Sequence, residues 1–171
     1  MNESETNGTA VTKGRASMSD AAVKGALAGL LGGAALLLVE KLEQQLLLPR
    51  VSDTPTMGEQ AVQTVADSKG AELSKGEARI AGAAAQLGFC AIMGAICGVL
   101  QNRLDAPPVV EGLMTAGVAY AASMSSSGIL PKLGATSPPL AHSLEETAVP
   151  VGAYLAYGVT TAAAARMLNA A

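Results

Sequence analysis

The stretch from Ile80 to Asn102, IAGAAAQLGFCAIMGAICGVLQN, decides the fold because it contains no Asp, Glu, Lys or Arg. Charged residues flank it on both sides, Arg79 before it and Arg103 after it. At a rise of about 1.5 Å per residue, a helix of this length spans roughly 35 Å, enough to cross the hydrocarbon core of a bilayer. The stretch therefore predicts a membrane-crossing helix.

One face of this predicted helix carries small or polar residues at a spacing of four. The row consists of Gly82, Gln86, Cys90, Gly94 and Gly98. Small residues let helix backbones approach closely in lipid, where association depends on packing and interhelical hydrogen bonds. We therefore expect Gln86 to face another helix and to hydrogen-bond there. Contact of its amide with a substrate is the alternative.

Three further apolar segments surround this stretch, so the sequence predicts an all-α protein. The expected fold is a four-helix transmembrane bundle with a disordered N-terminal tail and a long polar loop between helices 1 and 2. We assign residues 1–19 to the tail and residues 20–171 to the membrane domain. The helices are expected at about 21–48, 75–103, 110–130 and 144–168. The tail is acidic where a signal peptide would be basic, so we expect no cleavable signal.

Polar residues at a spacing of three predict where helices begin, because a Ser or Thr followed by Glu can close a capping box. Such pairs are Thr56 with Glu59, Ser74 with Glu77, and Ser143 with Glu146. The first pair predicts a short surface helix within the polar loop. Ser19 and Asp20 can cap the first long helix. In the third, we expect serines such as Ser123 to bond back to carbonyls one turn earlier.

The bulk composition narrows the classes of function. The net charge of -3 and the pI near 5.1 exclude a nucleic-acid binder, since no basic stripe is available to neutralise phosphates. A hydrophobic fraction of 50% and a mean hydropathy of +0.35 fit a membrane protein. Only 2% of residues are aromatic, so the belt typical of membrane interfaces is nearly missing. A soluble helical bundle rich in Ala and Gly therefore stays a second alternative.

The sequence predicts no enzymatic activity, because it lacks a nucleophile elbow, a phosphate-binding glycine loop and a zinc-helix signature. No cofactor and no metal ion are expected. Cys90 and Cys97 lie two helical turns apart, too far to share a disulfide or a metal ion, and we interpret them as buried small hydrophobic residues.

Small residues recur at four-residue spacing in the first and last helices as well. We predict as helix-packing residues Gly25, Gly29, Gly33, Gly82, Gly94, Gly98 and Gly152. Packing within one chain is the expected use of these faces, because four small-faced helices can satisfy one another. A homo-oligomer formed through the same faces is the alternative, and the lipid bilayer is the expected partner in either case.

Five polar residues form a candidate path for protons or small solutes: Glu40, Glu43, Gln86, His142 and Glu145. An acidic group inside hydrocarbon costs about 2.5 to 3.5 kcal/mol, so it is a functional candidate by default. Glu40 and Glu43 come late in a long helix, however, and we expect them to be interfacial and solvated. A metal site at His142 and Glu145 would need a further ligand that the sequence does not supply.

The exits of the first and third predicted helices have similar sequences. The stretch at 48–50 reads Leu-Pro-Arg and is followed by Thr-Pro at 54–55, while Leu-Pro-Lys at 130–132 is followed by Ser-Pro at 137–138. A duplicated helical pair would place both exits on the same side of the membrane. Helices commonly stop at proline, which is the simpler explanation.

Four groups of residues carry a resemblance to a known family. They are the glycine-rich first helix leading to 48–50, the run at 86–89 with Gly94 and Gly98, the exit at 128–134, and Ala156-Tyr157-Gly158 with Arg166. In these the chain resembles YagU-like and related uncharacterised bacterial inner-membrane proteins over residues 21–168. The resemblance implies a small multi-pass inner-membrane protein with a structural or stress-related role. We expect a cytoplasmic N-terminus, because the first helix usually sets orientation.

Overall fold

A computed structural model describes residues 17–47, 55–104, 106–125, 128–133 and 144–170 of the chain. Within these ranges the predicted all-α class is confirmed, with five helices of three or more turns, one single-turn helix and no strand. The helices are α1 (Met18–Leu47), α2 (Met57–Ser68), α3 (Lys75–Gln101), α4 (Pro108–Met124), α5 (Ile129–Lys132) and α6 (Leu144–Ala170). Residues 1–16 of the predicted tail lie outside the described residues.

The four long helices α1, α3, α4 and α6 pack as an antiparallel bundle. Helix α1 contacts both α3 and α6, and α4 contacts α6. Of the adjacent pairs among these four helices, α3 and α4 are the most loosely packed, and a hydrogen bond of 3.0 Å joins Gln101 to Thr115. The short helices α2 and α5 lie at the end of the bundle where α1 and α4 finish.

The contact between α1 and α3 is made by backbone. A Cβ atom added at Gly94 would lie 2.6 Å from the Cα of Gly29, and one added at Gly98 would lie 2.6 Å from the carbonyl oxygen of Ala21. No side chain fits at these distances, so the two backbones touch directly along a row of glycines. Such contact maximises dispersion between helices.

The core between the long helices combines small residues with two tyrosines. Its buried members are Leu36, Cys90, Met93, Ala119, Ala153, Tyr154 and Tyr157. The Tyr157 hydroxyl donates a hydrogen bond of 2.8 Å to the Cys90 carbonyl oxygen, joining α6 to α3. The rings of Tyr120 and Tyr154 meet edge to face with centroids 5.7 Å apart. The two cysteines are free and buried, which confirms their interpretation.

The large apolar side chains point away from this core. On α1 they include Leu27, Leu31 and Leu38, on α3 Ile80, Ile92 and Ile96, on α4 Val109 and Leu113, and on α6 Leu155 and Val159. All of these are exposed, whereas the buried interior is dominated by alanine, glycine and a few larger residues. The bundle therefore has mostly small side chains inside and large apolar side chains outside.

Two helices in the described residues are long and apolar enough to cross a membrane by length and composition, Met18–Leu42 and Lys75–Gln101. The expected number was four. Helix α4 has 17 residues, which corresponds to roughly 25 Å and is shorter than a typical hydrocarbon core. Helix α6 is long enough, but tyrosines and threonines lower its hydropathy.

The third predicted helix, 110–130, is interrupted in the structure. Helix α4 ends at Met124, Ser125 is extended with ψ of 161°, and the single turn α5 follows from Ile129. The amide of Gly128 donates a hydrogen bond of 2.7 Å to the Ser125 carbonyl oxygen, so the chain turns here. Serine hydroxyls compete for backbone partners and weaken helix continuation, which explains the break.

The helix starts follow the predicted caps with one exception. Complete capping boxes at Thr56 with Glu59 and at Ser74 with Glu77 are confirmed, and the first of them begins α2, the predicted helix within the polar loop. Helix α1 is capped by Ser17, whose hydroxyl accepts from the Asp20 amide at 3.1 Å, and not by Ser19 or Asp20. Ser143 lies outside the described residues.

Candidate functional site

Four polar side chains, one from each long helix, converge inside the bundle. They are Glu40 of α1, Gln86 of α3, Ser123 of α4 and Tyr154 of α6, and we call them the core polar cluster. Glu40 is 6% exposed and Gln86 is 7% exposed, and the other two are still less exposed. Each is thus more than nine-tenths buried in an otherwise apolar core, where polar groups are costly unless they are partnered.

The members of the core polar cluster interact with one another. The Glu40 carboxyl group lies close enough to Tyr154 and Cys90 to act on both electrostatically. The Tyr154 hydroxyl faces the side chains of Ser123 and Gln86. Because the four residues come from four helices, the cluster exists only in the assembled bundle.

Some polar atoms of the cluster form hydrogen bonds and others do not. The Ser123 hydroxyl donates a hydrogen bond of 2.8 Å to the Ala119 carbonyl oxygen one turn earlier, as the sequence predicts. The Gln86 amide lies beside Tyr154, but among the described residues its Nε2 atom is buried and makes no hydrogen bond of ordinary geometry. A buried donor left without a partner costs about 1 to 3 kcal/mol.

A cavity of about 280 Å³ adjoins the cluster, and we call it the α2–α5 cavity because both short helices line it. Gln86, Ser123 and Tyr154 contribute the polar part of its wall. The rest of the lining is apolar apart from Gly58 and comprises Ala61, Val62, Val65, Ala85, Phe89, Ile129, Leu130 and Leu133. Its chemistry is that of a small-molecule pocket, which typically combines an apolar wall with a few polar groups.

The predicted polar path is only partly described by the structure. Glu40 and Gln86 are both buried in the core beside Tyr154, so the expectation of a solvated Glu40 at the interface is wrong. It follows Leu36 by one helical turn, and Leu36 is itself buried in the core. Glu43 belongs to α1 and Glu145 belongs to α6, whereas His142 lies outside the described residues.

The predicted helix-packing glycines lie in three places. Those that join α1 to α3 are Gly25, Gly29, Gly33, Gly94 and Gly98. Gly82 instead lies under α2, where a Cβ atom would be 2.8 Å from the Cα of Glu59. Gly152 is half-buried on α6. The polar loop between the first two long helices is therefore attached to the bundle through its own helix.

Sequence reasoning missed Tyr154 as a site residue. The available signal was its rarity, since the chain has only three tyrosines and one phenylalanine. A phenol within a helix rich in alanine and glycine needs a polar partner when buried. Gly58 and Gly158 were also missed, although both make close backbone contacts, with Gly82 and Gly112 respectively.

The opposite end of the bundle has a separate set of polar contacts. Arg166 of α6 forms an ion pair of 3.1 Å with Glu111 of α4 and donates a hydrogen bond of 3.2 Å to the Ala106 carbonyl oxygen. Arg166 is exposed, so this ion pair lies at the surface of the bundle.

Comparison of the chain with family models, with characterised proteins and with solved structures finds no match. Three observations therefore bear on function. The bundle packs small residues inside and large apolar side chains outside, it contains the core polar cluster, and it contains the α2–α5 cavity.

Proposed function

We propose that this protein is a multi-pass integral membrane protein in which α1, α3, α4 and α6 cross the bilayer as a four-helix bundle. The observation that carries the proposal is the reversed packing: small residues and backbone inside, large apolar side chains outside. A water-soluble bundle gains most of its stability by burying large apolar side chains. In lipid that gain disappears, and close contact between small residues becomes the means of association.

The outward face of α1 illustrates the argument. Leu27, Leu31 and Leu38 are each about half exposed, and they lie on a helix without charge from Gly25 to Val39. Single exposed leucines are common on soluble proteins, but large contiguous apolar surfaces mark interaction with membranes or partners. Here the exposed apolar residues continue around the bundle on α3, α4 and α6, as lipid contact requires.

The short helix α4 is compatible with this topology. Its 17 residues reach about 25 Å, and a short hydrophobic segment can be accommodated by local thinning of the bilayer at modest cost. The turn α5 at the same end carries Lys132, a residue suited to the interface.

The role that we propose is non-enzymatic, structural or stress-related, in a bacterial inner membrane with a cytoplasmic N-terminus. It rests on the resemblance to YagU-like proteins and on the small number of polar groups in the core. The glycine row of α1 and α3 packs within the chain, and a homo-oligomer through the small residues of α6 around Gly152 remains the alternative.

A second candidate function is transport of protons or small solutes. The observation that favours it is the burial of Glu40 and Gln86 beside Tyr154 inside the bundle, since acidic groups within a membrane commonly mark ion or proton paths. In this candidate Glu40 would carry the proton or bind the cation, and Gln86 would contact the solute.

Alkaline extraction of isolated membranes tests the membrane assignment. We expect the protein to stay with the membrane pellet together with an integral marker, while a peripheral marker is released. Release of the protein into the supernatant would instead support the soluble bundle.

Flux measurements in reconstituted vesicles separate the two roles. Transport predicts proton or cation flux that is lost in Glu40→Gln and kept in Glu72→Gln, a matched change at an exposed residue between α2 and α3. Absence of flux under every imposed gradient would reject transport and leave the structural role.

A further inference from the structure

We propose that the α2–α5 cavity holds part of one acyl chain of a membrane lipid. The inference rests on the proposed membrane location of the bundle and deepens it, because lipid becomes a ligand of an internal site as well as the surroundings of the outer surface. Three observations support it: the chemistry of the cavity wall, the size of the cavity and the position of its opening.

The wall of the cavity offers a ligand little opportunity for hydrogen bonding. The polar side chains of its described lining, Gln86, Ser123 and Tyr154, are each more than nine-tenths buried. The Ser123 hydroxyl donates to the Ala119 carbonyl oxygen, and the Tyr154 hydroxyl faces the other two side chains. The Nε2 atom of Gln86 has almost no accessible surface. Because a polar ligand would lose its hydrogen bonds to water without replacing them, the wall favours a hydrocarbon.

The volume of the cavity corresponds to a segment of an acyl chain. An engineered cavity of about 150 Å³ lined by apolar side chains binds benzene. By that measure, the α2–α5 cavity of about 280 Å³ accommodates about ten carbon atoms of a chain. Longer chains therefore enter in part, and the rest of such a chain stays in the bilayer outside the opening.

The cavity opens through apolar residues at the outer surface of the bundle. The exposed members of its lining are Val65 of α2, Ala85 of α3, and Ile129 and Leu133 at α5. A flexible chain can therefore enter between the two short helices while the four long helices stay packed. The part of the chain that remains outside has an apolar surface to lie against.

The cavity lies at a depth that lipid chains reach. On α3 its lining residues Ala85 and Phe89 belong to the charge-free stretch that begins at Ile80. At about 1.5 Å per residue, they are roughly 8 and 14 Å from the first residue of that stretch, measured along the helix. The ion pair of 3.6 Å between Arg79 and Glu59 comes just before it. The cavity is therefore on the hydrocarbon side of these charges.

Water is a poor occupant of such a cavity. A buried water needs about two to four polar partners, and apolar cavities stay dry. An empty cavity, in turn, leaves its lining without dispersion contacts on one side. Lipid chains are the apolar material that surrounds a bundle in a membrane, so they supply those contacts.

Three leucines in different surroundings can report where lipid chains contact the protein. Leu130 is buried and lines the cavity, Leu36 is buried in the core, and Leu31 is exposed on α1. The full chain, deuterated except at its leucine methyl groups, is placed in bicelles of dimyristoyl phosphatidylcholine and deuterated dihexanoyl phosphatidylcholine. Nuclear Overhauser effects from the protonated lipid chains to the leucine methyl groups are then measured by NMR.

We expect an effect from the lipid chains at Leu130 and at Leu31, and none at Leu36. An effect at Leu31 without one at Leu130 would overturn the inference and leave the membrane location in place. No effect at any of the three would overturn the membrane location and the inference with it. Equal effects at Leu36 and Leu130 would also reject the inference, because Leu36 does not line the cavity.

Ala61→Phe distinguishes the cavity from the surface around it. Ala61 lines the cavity from α2, so a phenyl ring there takes the space of the lipid chain. The effect at Leu130 should be lost, and the effect at Leu31 should stay. Its persistence at Leu130 in the folded variant would contradict the inference.

Ala71→Phe is the matched control, since Ala71 is exposed beyond the end of α2. It should leave the effects at Leu130 and Leu31 unchanged, and loss of the Leu130 effect in this variant as well would remove the support that Ala61→Phe gives. If Ala61→Phe does not fold, the three leucines of the wild-type protein decide the question on their own.

Discussion

The bundle has two seams where its first half, α1 to α3, meets its second half, α4 to α6, and they are packed very differently. At the α1–α6 seam, Ala28 packs against Ala164 and Ala165, and Gly32 lies directly on Tyr157. At the α3–α4 seam the helices make far fewer close contacts, and a hydrogen bond joins the side chains at 101 and 115. The first seam is nearly solid, and the second is loose.

Both cavities described for the bundle lie along the loose seam. The α2–α5 cavity receives lining residues from α3 and α4, and a small cavity of about 20 Å³ lies between the same helices at the opposite end, beside Cys97 and Thr115. The difference teaches that close packing is concentrated on one side of the bundle. The described internal space is concentrated on the other side.

The largest expected effect comes from filling the solid seam. Gly32→Leu should destabilise the protein by about 3 kcal/mol, because even a Cβ atom there would lie 2.8 Å from the Tyr157 carbonyl oxygen. The control is Gly117→Leu on α4, where no described atom lies within 4 Å of an added Cβ. Thermal unfolding followed by circular dichroism in detergent measures both. Equal stability of the two variants would contradict the solid seam.

The next effect concerns the hydroxyl that ties this side of the core to α3. Tyr157→Phe removes the donor to the Cys90 carbonyl oxygen and should cost about 1 kcal/mol, the net value of one buried hydrogen bond. Because the ring is retained, the packing against Gly32 is kept. Denaturant titration in mixed micelles gives the difference, and an unchanged midpoint would show that this bond adds nothing.

At the loose seam a double-mutant cycle should give a smaller number. Gln101→Ala and Thr115→Val should be coupled by about 0.5 kcal/mol, since their hydrogen bond is only partly buried. A coupling energy above about 2 kcal/mol would mean that the α3–α4 seam is as firmly held as the α1–α6 seam.

The smallest expected effect is at the ion pair within the second half. Glu111→Gln should lower stability by no more than about 0.5 kcal/mol, because Arg166 is exposed and its interaction is screened by solvent. The difference should shrink further at high salt. A loss that is large and independent of salt would place this contact among the structural ones.

Local sequence signals predicted the features that depend on neighbouring residues. The capping boxes at Thr56 and Ser74 need only a spacing of three, and the back-bonding of Ser123 needs only one helical turn. The prediction that Gln86 faces another helix rested on the row of small and polar residues along one face of its own helix. These features depend on residues within one helical segment, so the sequence of that segment is sufficient to predict them.

Features that depend on contacts between distant segments were not predictable in the same way. The burial of Glu40 depends on how α1 is rotated against α3 and α6, and the role of Tyr154 depends on Ser123 being opposite it. The attachment of α2 depends on Gly58 meeting Gly82. The order long, short, long recurs in both halves, and duplication of a helical pair remains a prediction.

The backbone contact between α1 and α3 has a consequence for how these positions can change over evolution. A Cβ atom at Gly29 would lie 2.9 Å from the Cα of Gly94, and one at Gly94 would lie 2.6 Å from the Cα of Gly29. Because both residues are glycine, neither can be replaced by a smaller residue. A larger residue at one position therefore cannot be compensated by a substitution at the other. We expect such pairs to stay fixed among related sequences and not to covary, which would hide the closest contact of the fold from methods that infer contacts from correlated substitutions.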